Sequence, residues 1–177
     1  MNQKLKKALK IFSSSIVAIV VIFAILTSGV RLFGLKVYTV LSPSMEPKYK
    51  TGALIYVKDT APEKLKVGDV ITFMMSEETT VTHRIVGIEP DTAGTLYFRT
   101  KGDANKIEDG ASVHQDNVLG KPIFNIPYLG YVASFVSHPP GIYLSVAIGL
   151  ILTILVFMVD YITSEDTKKS NKSTKEH

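Results

Sequence analysis

Ser44 stands in the run YTVLSPSMEPKYKTGALIYV, residues 38 to 57, with Pro43 just before it and Pro47 three residues after. Proline fixes its own φ and pushes the residue ahead of it toward extended geometry. Ser42 and Glu46 are therefore expected to be extended, and Ser44 to lie between two constrained points. Such a segment is either a stiff turn or a support that holds a serine out for attack. A serine hydroxyl is a weak nucleophile and needs a base. Of the four histidines, His177 is terminal and His138 sits beside Pro139. His114, in GASVHQDN, reads as a solvated loop residue. His83 lies in TVTHRIVGI and shares a strand face with Val81 and Ile85 by the two-residue period. It reads either as a hydrogen-bonded core histidine or as a base held by a rigid sheet.

The turn KGDANKIEDG, residues 101 to 110, adds Asp103 and Asp109. Each can cap its own turn, and each can be the carboxylate of a Ser–His–Asp set. Lys101 and Lys58 are alternative bases, which would leave His83 structural. The chain has no cysteine, so disulfides, thiol nucleophiles and cysteine metal sites are excluded. No metal or cofactor is expected.

The elements that must position these residues read as strands. Alternation runs through residues 53–59, 70–75, 80–88, 96–101 and 118–124, punctuated by Gly68-Asp69, Pro90-Asp91, Gly94, Gly102-Asp103 and Asp109-Gly110. This pattern predicts a small, mainly β domain, a curled sheet, over residues 31 to 138. Two uncharged stretches flank it. Residues 11 to 30 and, after Pro139-Pro140, residues 142 to 159 are each long enough to span a membrane. The uncharged aromatic segment near 128–136 is expected to lie in or against the bilayer surface. Residues 160 to 177 are expected to form a polar, disordered tail.

Lysines set the expected orientation. Lys4, Lys6, Lys7 and Lys10 precede the first span, and Lys168, Lys169, Lys172 and Lys175 follow the second. The positive-inside rule puts residues 1–10 and 160–177 in the cytoplasm and the β domain outside a two-pass cell-membrane protein. Residues 31–138 hold 12 Lys plus Arg and 12 Asp plus Glu. The net charge of +4 thus comes from the basic N-terminus, a topology signal, and nucleic acid is not an expected partner. Leu26-Thr27-Ser28-Gly29 is a poor leader-cleavage site, so the first span is expected to be retained. Neither apolar core holds an ionisable residue, which argues against a channel or transporter.

The order S-P-S-M-E-P, G-D-V-I, V-T-H-R-I-V, T-K-G-D-A-N, D-G and L-G-K resembles that of the type I signal peptidases, serine proteases of the S26 family. More narrowly, it resembles the endoplasmic-reticulum-type branch, which also occurs in archaea and some Gram-positive bacteria. The resemblance runs from the first span to about Gly130. It implies a β catalytic domain on the outer membrane face that cuts signal peptides from exported preproteins. It makes Ser44 the nucleophile and His83 the general base, where most bacterial members use lysine. It matches Asp109 to the charge-relay aspartate and Asp103 to a second aspartate implicated in activity. The Ser44 backbone N–H and the Ser42 hydroxyl are the implied oxyanion donors. Implied partners are signal peptides, the lipid bilayer and the protein translocation machinery. Two rival readings stand beside it: a lysine-dependent protease of related fold, and a non-enzymatic membrane-anchored scaffold of a secretion complex.

Overall fold

A computed structural model describes residues 3–27 and 29–173. It forms two compact units, one of Thr27–Ser134 and one drawn from the two ends of the chain. The first is mainly β. Its strands are β1 (Leu35–Thr39), β2 (Leu54–Lys58), β3 (Val70–Met74), β4 (Thr80–Pro90), β5 (Leu96–Lys101), β6 (Val113–His114) and β7 (Val118–Ile126). They make one curled sheet in the order β1-β2-β7-β3-β4-β5-β6, antiparallel at every pairing.

β7 joins the two halves of the sheet. Its later residues pair with β2, and Val118 and Gly120 pair with β3. Gly120 takes a φ of 136°, and a Cβ there would overlap the Lys58 carbonyl. Only glycine lets β7 pass this close while it changes partner.

The core has two clusters, and β3 contributes to both. Leu65, Ile71, Phe73, Ile85, Phe98 and Val113 pack in one, and Met45, Tyr49, Ile55, Val57 and Val70 in the other. The run Leu54–Val57 is buried at every position, as a strand covered on both faces must be. In β4 burial alternates instead, with His83, Ile85 and Gly87 inside. This is the face that the alternation in TVTHRIVGI predicts. β1 and β6 are additions to the strands read from the sequence.

The ends of the chain are helical. α1 (Gln3–Thr27) and α3 (Gly141–Ser173) contain the apolar stretches Lys7–Thr27 and Gly141–Val159. Both are long and apolar enough to cross a membrane, and neither is buried within the protein. A third helix, α2 (Leu129–Ser137), lies in the segment expected at a bilayer surface. Its first turn docks on the sheet: the Gly130 N–H donates to the Gly52 carbonyl at 3.0 Å.

Residues 160–173, expected to be disordered, instead continue α3. They contain neither Gly nor Pro, and lengthening a formed helix avoids the nucleation step. Residues 174–177 of that expected tail lie outside the described residues.

Candidate active site

Ser44 lies in a 3₁₀ turn, Pro43–Met45, closed by the Glu46 N–H donating to the Pro43 carbonyl at 2.9 Å. Ser42 and Glu46 on either side are extended, as the prolines predict, with φ/ψ of −127°/157° and −68°/145°. What fixes the turn in space is Met45. Its side chain is 2% exposed and packs in the core with Tyr49, Ile55, Val57 and Val70. Burying such a side chain is worth about 1.5–3 kcal/mol, so the turn is pinned one residue from the hydroxyl.

A second hold comes from the 101–110 turn. The Ala104 N–H donates to the Ser44 carbonyl at 2.8 Å. Gly102 makes this approach possible, since a Cβ there would sit 2.6 Å from the same carbonyl oxygen. The glycine of K-G-D-A-N is thus required by contact rather than by its φ.

β4 brings His83 to this point. The ring is nearly buried and lies edge-on to Phe73 at 6.5 Å between centroids. Its Nε2 is 3.1 Å from Ser44 Oγ, and its Nδ1 is 2.6 Å from Asp109 Oδ2. Asp109 can only accept when ionised, so Nδ1 carries the proton and Nε2 is left to accept from the serine hydroxyl. Ser42 Oγ lies 3.0 Å from Ser44 Oγ.

Asp103 is elsewhere. Its two carboxylate oxygens accept from Arg84 Nε at 2.7 Å and Nη2 at 2.6 Å, and Arg84 Nη1 donates to the Gly68 carbonyl at 2.6 Å. These paired bonds from Arg84 hold the Asp103 carboxyl below its usual pKa, and they raise that of the guanidinium. Of the two aspartates left open by the sequence, the structure therefore brings Asp109 to the histidine and Asp103 to its neighbour on the opposite face of β4.

The lysines weighed as bases fall outside this chain of contacts. Lys58 is exposed, opposite Leu35 and Lys121 in the sheet. Lys101 pairs in register with Arg84 and so shares its face rather than that of His83. His114 caps the short turn after β6 by accepting from the Asp116 N–H at 3.2 Å. Among the described residues no three His, Asp or Glu side chains gather as a metal set.

Thr100 escaped the sequence reading. It is fully buried, its Oγ1 donates to Asp109 Oδ2 at 2.6 Å, and its carbonyl accepts from the Asp109 N–H at 2.9 Å. The signal was present in LYFRTK. The two-residue period puts Thr100 on the face of Phe98, and a hydroxyl on a core face needs a partner.

A serine, a histidine and a carboxylate in hydrogen-bonded order define the geometry of a proton-relaying nucleophile. Comparison with known proteins points the same way. Residues 13–97 match the family model described as signal peptidase, peptidase S26. That stretch includes Ser44 and His83 but ends before the two aspartates. Signal peptidase I W of Bacillus subtilis (strain 168) is 46% identical over 111 residues, which covers 61% of this chain and 58% of that protein. The human signal peptidase complex catalytic subunit SEC11C is 26% identical over 112 residues, 59% of this chain and 58% of that protein. The chain spans less than two-thirds of the length of either relative. Over these stretches the chain is similar both to a bacterial signal peptidase I and to a catalytic subunit of the signal peptidase complex, as its motifs implied.

Proposed function

We propose that this protein is a membrane-anchored serine endopeptidase that removes N-terminal signal peptides from exported preproteins. The observation that carries the reading is the continuous chain from Ser44 Oγ through the His83 ring to Asp109, at 3.1 and 2.6 Å. Ser44 attacks the carbonyl carbon before the cut, and the Ser44 proton passes to His83 Nε2. The imidazolium then gives that proton to the leaving amine, and an acyl ester remains on Ser44. Water, deprotonated by the same nitrogen, releases the ester and restores the serine. Asp109 holds the ring in the required tautomer and opposes its transient positive charge. The Ser44 backbone N–H and the Ser42 hydroxyl are the oxyanion donors, each worth about 3 kcal/mol in such a role.

Substrates of this class carry small residues one and three positions before the cut. They meet the enzyme as extended segments that leave the bilayer. A protease tethered by one helix ending at Thr27 and another beginning at Gly141 shares that surface with its substrate, which raises the effective concentration. In this reading both termini are cytoplasmic, the β unit is extracytoplasmic, the membrane is the cell membrane, and the translocation machinery is a candidate partner. Reporter fusions at Asp91 and at the C-terminus test the orientation, and a reporter at Asp91 active only in the cytoplasm overturns it.

Cleavage of a preprotein by the full chain in vesicles tests the activity. Wild type is expected to release the mature protein, and Ser44→Ala, folded and membrane-bound, to release none. Unchanged cleavage by Ser44→Ala overturns the reading. No cleavage by wild type under any of several preproteins favours a scaffold.

A further inference from the structure

Asp109 is the weak link of the site by location. It sits in a turn where Lys106, Ile107, Glu108, Gly110 and Ala111 are all exposed. His83, by contrast, is on an eleven-residue strand, and Ser44 is pinned by a buried methionine. A carboxylate in such a turn has χ1 freedom and competing solvent, and yet its Oδ2 is held 2.6 Å from the histidine. Something rigid must take that freedom away.

We infer that Thr100 is the positioning residue of this site, a strand-borne hydroxyl that holds the Asp109 carboxylate against the His83 ring. The inference rests on the triad reading above and extends it to Thr100, the first residue of T-K-G-D-A-N, to which the resemblance assigned no role. Thr100 holds Asp109 at two points, through the carboxylate at 2.6 Å and through the backbone N–H at 2.9 Å. Together these fix both the backbone of Asp109 and the direction of its side chain. The Thr100 hydroxyl and the His83 Nδ1–H converge on one oxygen, Oδ2, so the carboxylate cannot turn without losing both. Thr100 is itself fixed. It lies on β5 in register with Ile85, two residues along β4 from His83, and both Thr100 and Ile85 are fully buried. Histidine and hydroxyl are thus mounted on adjacent strands of one sheet, and the turn residue is clamped between them. A β-branched side chain suits this duty, because its χ1 is stiff where serine's is not. Thr100 touches neither substrate nor the reacting atoms, and it acts through Asp109.

The test compares wild type, Thr100→Val, Thr100→Ser, Asp109→Asn and the double variant Thr100→Val with Asp109→Asn, each as full chain in vesicles. The substrate is a preprotein with small residues at the cleavage site, and thermal melting is recorded for each variant. Thr100→Val keeps the shape and loses the donor. It is expected to lower kcat by about 10- to 100-fold, the scale of a misplaced catalytic group, with KM changed less than about twofold. Thr100→Ser is expected to recover kcat to within about threefold of wild type. The double variant is expected to be no slower than Asp109→Asn alone, because the hydroxyl then has no carboxylate to place. If Thr100→Val melts below the assay temperature, Thr100→Ala takes its place in the series. Wild-type kcat in a folded variant lacking the hydroxyl overturns the inference while leaving the triad intact. So does an added loss in the double variant as large as in the single one. Wild-type kcat in Asp109→Asn overturns the triad reading itself.

Discussion

His83 and Arg84 are consecutive residues on β4, face opposite ways, and each takes an aspartate from the same turn. On one face Asp109 meets the imidazole through a single oxygen that Thr100 shares. On the other, Asp103 meets the guanidinium through both oxygens. The chemistry of the partners explains the difference. An imidazole that must accept and release a proton offers one N–H and needs a carboxylate that orients it. A guanidinium never titrates here and offers a fork, so its carboxylate serves as a clamp. The clamp matters to the site because Asp103 neighbours Ala104, whose N–H holds the Ser44 carbonyl. In the proposed mechanism one face carries the proton path, and the other fixes the loop whose Ala104 N–H holds the Ser44 carbonyl.

The comparison is broken most severely at the proton path. Ser44→Ala and His83→Ala are each expected to lower kcat/KM by about 10⁴-fold or more, with membrane level and melting temperature close to wild type. Cleavage at even a tenth of the wild-type rate by a folded His83→Ala would remove the imidazole from the mechanism and favour a base on the Arg84 face.

Asp109→Asn comes next. It keeps the size of the side chain and removes the charge that opposes the imidazolium. The expected loss is about 100-fold or more in kcat with little change in melting. The reversed pattern, a wild-type rate here and a folded but inactive Asp103→Asn, would exchange the roles of the two faces.

Much of this contrast was legible in the sequence, but not its assignment. Alternation in TVTHRIVGI placed His83 on an inward face, and the two prolines gave the geometry around Ser44. Yet Asp103 and Asp109 each adjoin a glycine in one polar turn, and local pattern treats them alike. What separates them is the β4–β5 register, Arg84 against Lys101 and Ile85 against Thr100, and register is a long-range property. β6 was invisible because two residues show no period. α2 was invisible as a helix because its nine residues are apolar nearly throughout, and a short apolar run has no decisive period. The polar end of α3 was misread because composition alone does not register that a helix already precedes it.

Asp103→Asn sharpens the comparison from the clamp side. Arg84 and Asp103 side chains are 30% and 17% exposed, so the pair is partly screened and worth about 1–2 kcal/mol. A drop of several degrees in melting is expected, with a rate loss under about tenfold. The pH dependence has a definite sign. Hydrogen bonding to Arg84 lowers the folded-state pKa of Asp103 below 3.8. A carboxyl lowered on folding stabilises the protein fully above its unfolded pKa, and that contribution is lost as pH falls through the folded value. The melting gap between wild type and Asp103→Asn should therefore be full at neutral pH and close below about pH 4. A gap that persists unchanged at acid pH would mean that the clamp is not ionic.

The smallest expected effect belongs to Lys101, and its value lies in being small. Lys101 is the one lysine on the strand next to His83 and within the K-G-D-A-N motif, so a lysine-dependent mechanism would turn to it first. Its partner across the ladder is Arg84, and paired residues in an antiparallel ladder project to the same side. Its neighbour Thr100 points to the face that holds Asp109, so Lys101 points away from it. Lys101→Met preserves the length and apolar stem of the side chain and deletes only the ammonium. Because that ammonium lies on the clamp face, kcat/KM is expected to stay within about twofold of wild type, and melting within about one degree, as for a surface substitution. A folded Lys101→Met that loses 100-fold or more would place the base on the Arg84 side of β4 (about 2.7 kcal/mol of transition-state stabilisation), and the division of labour between the two faces would not survive.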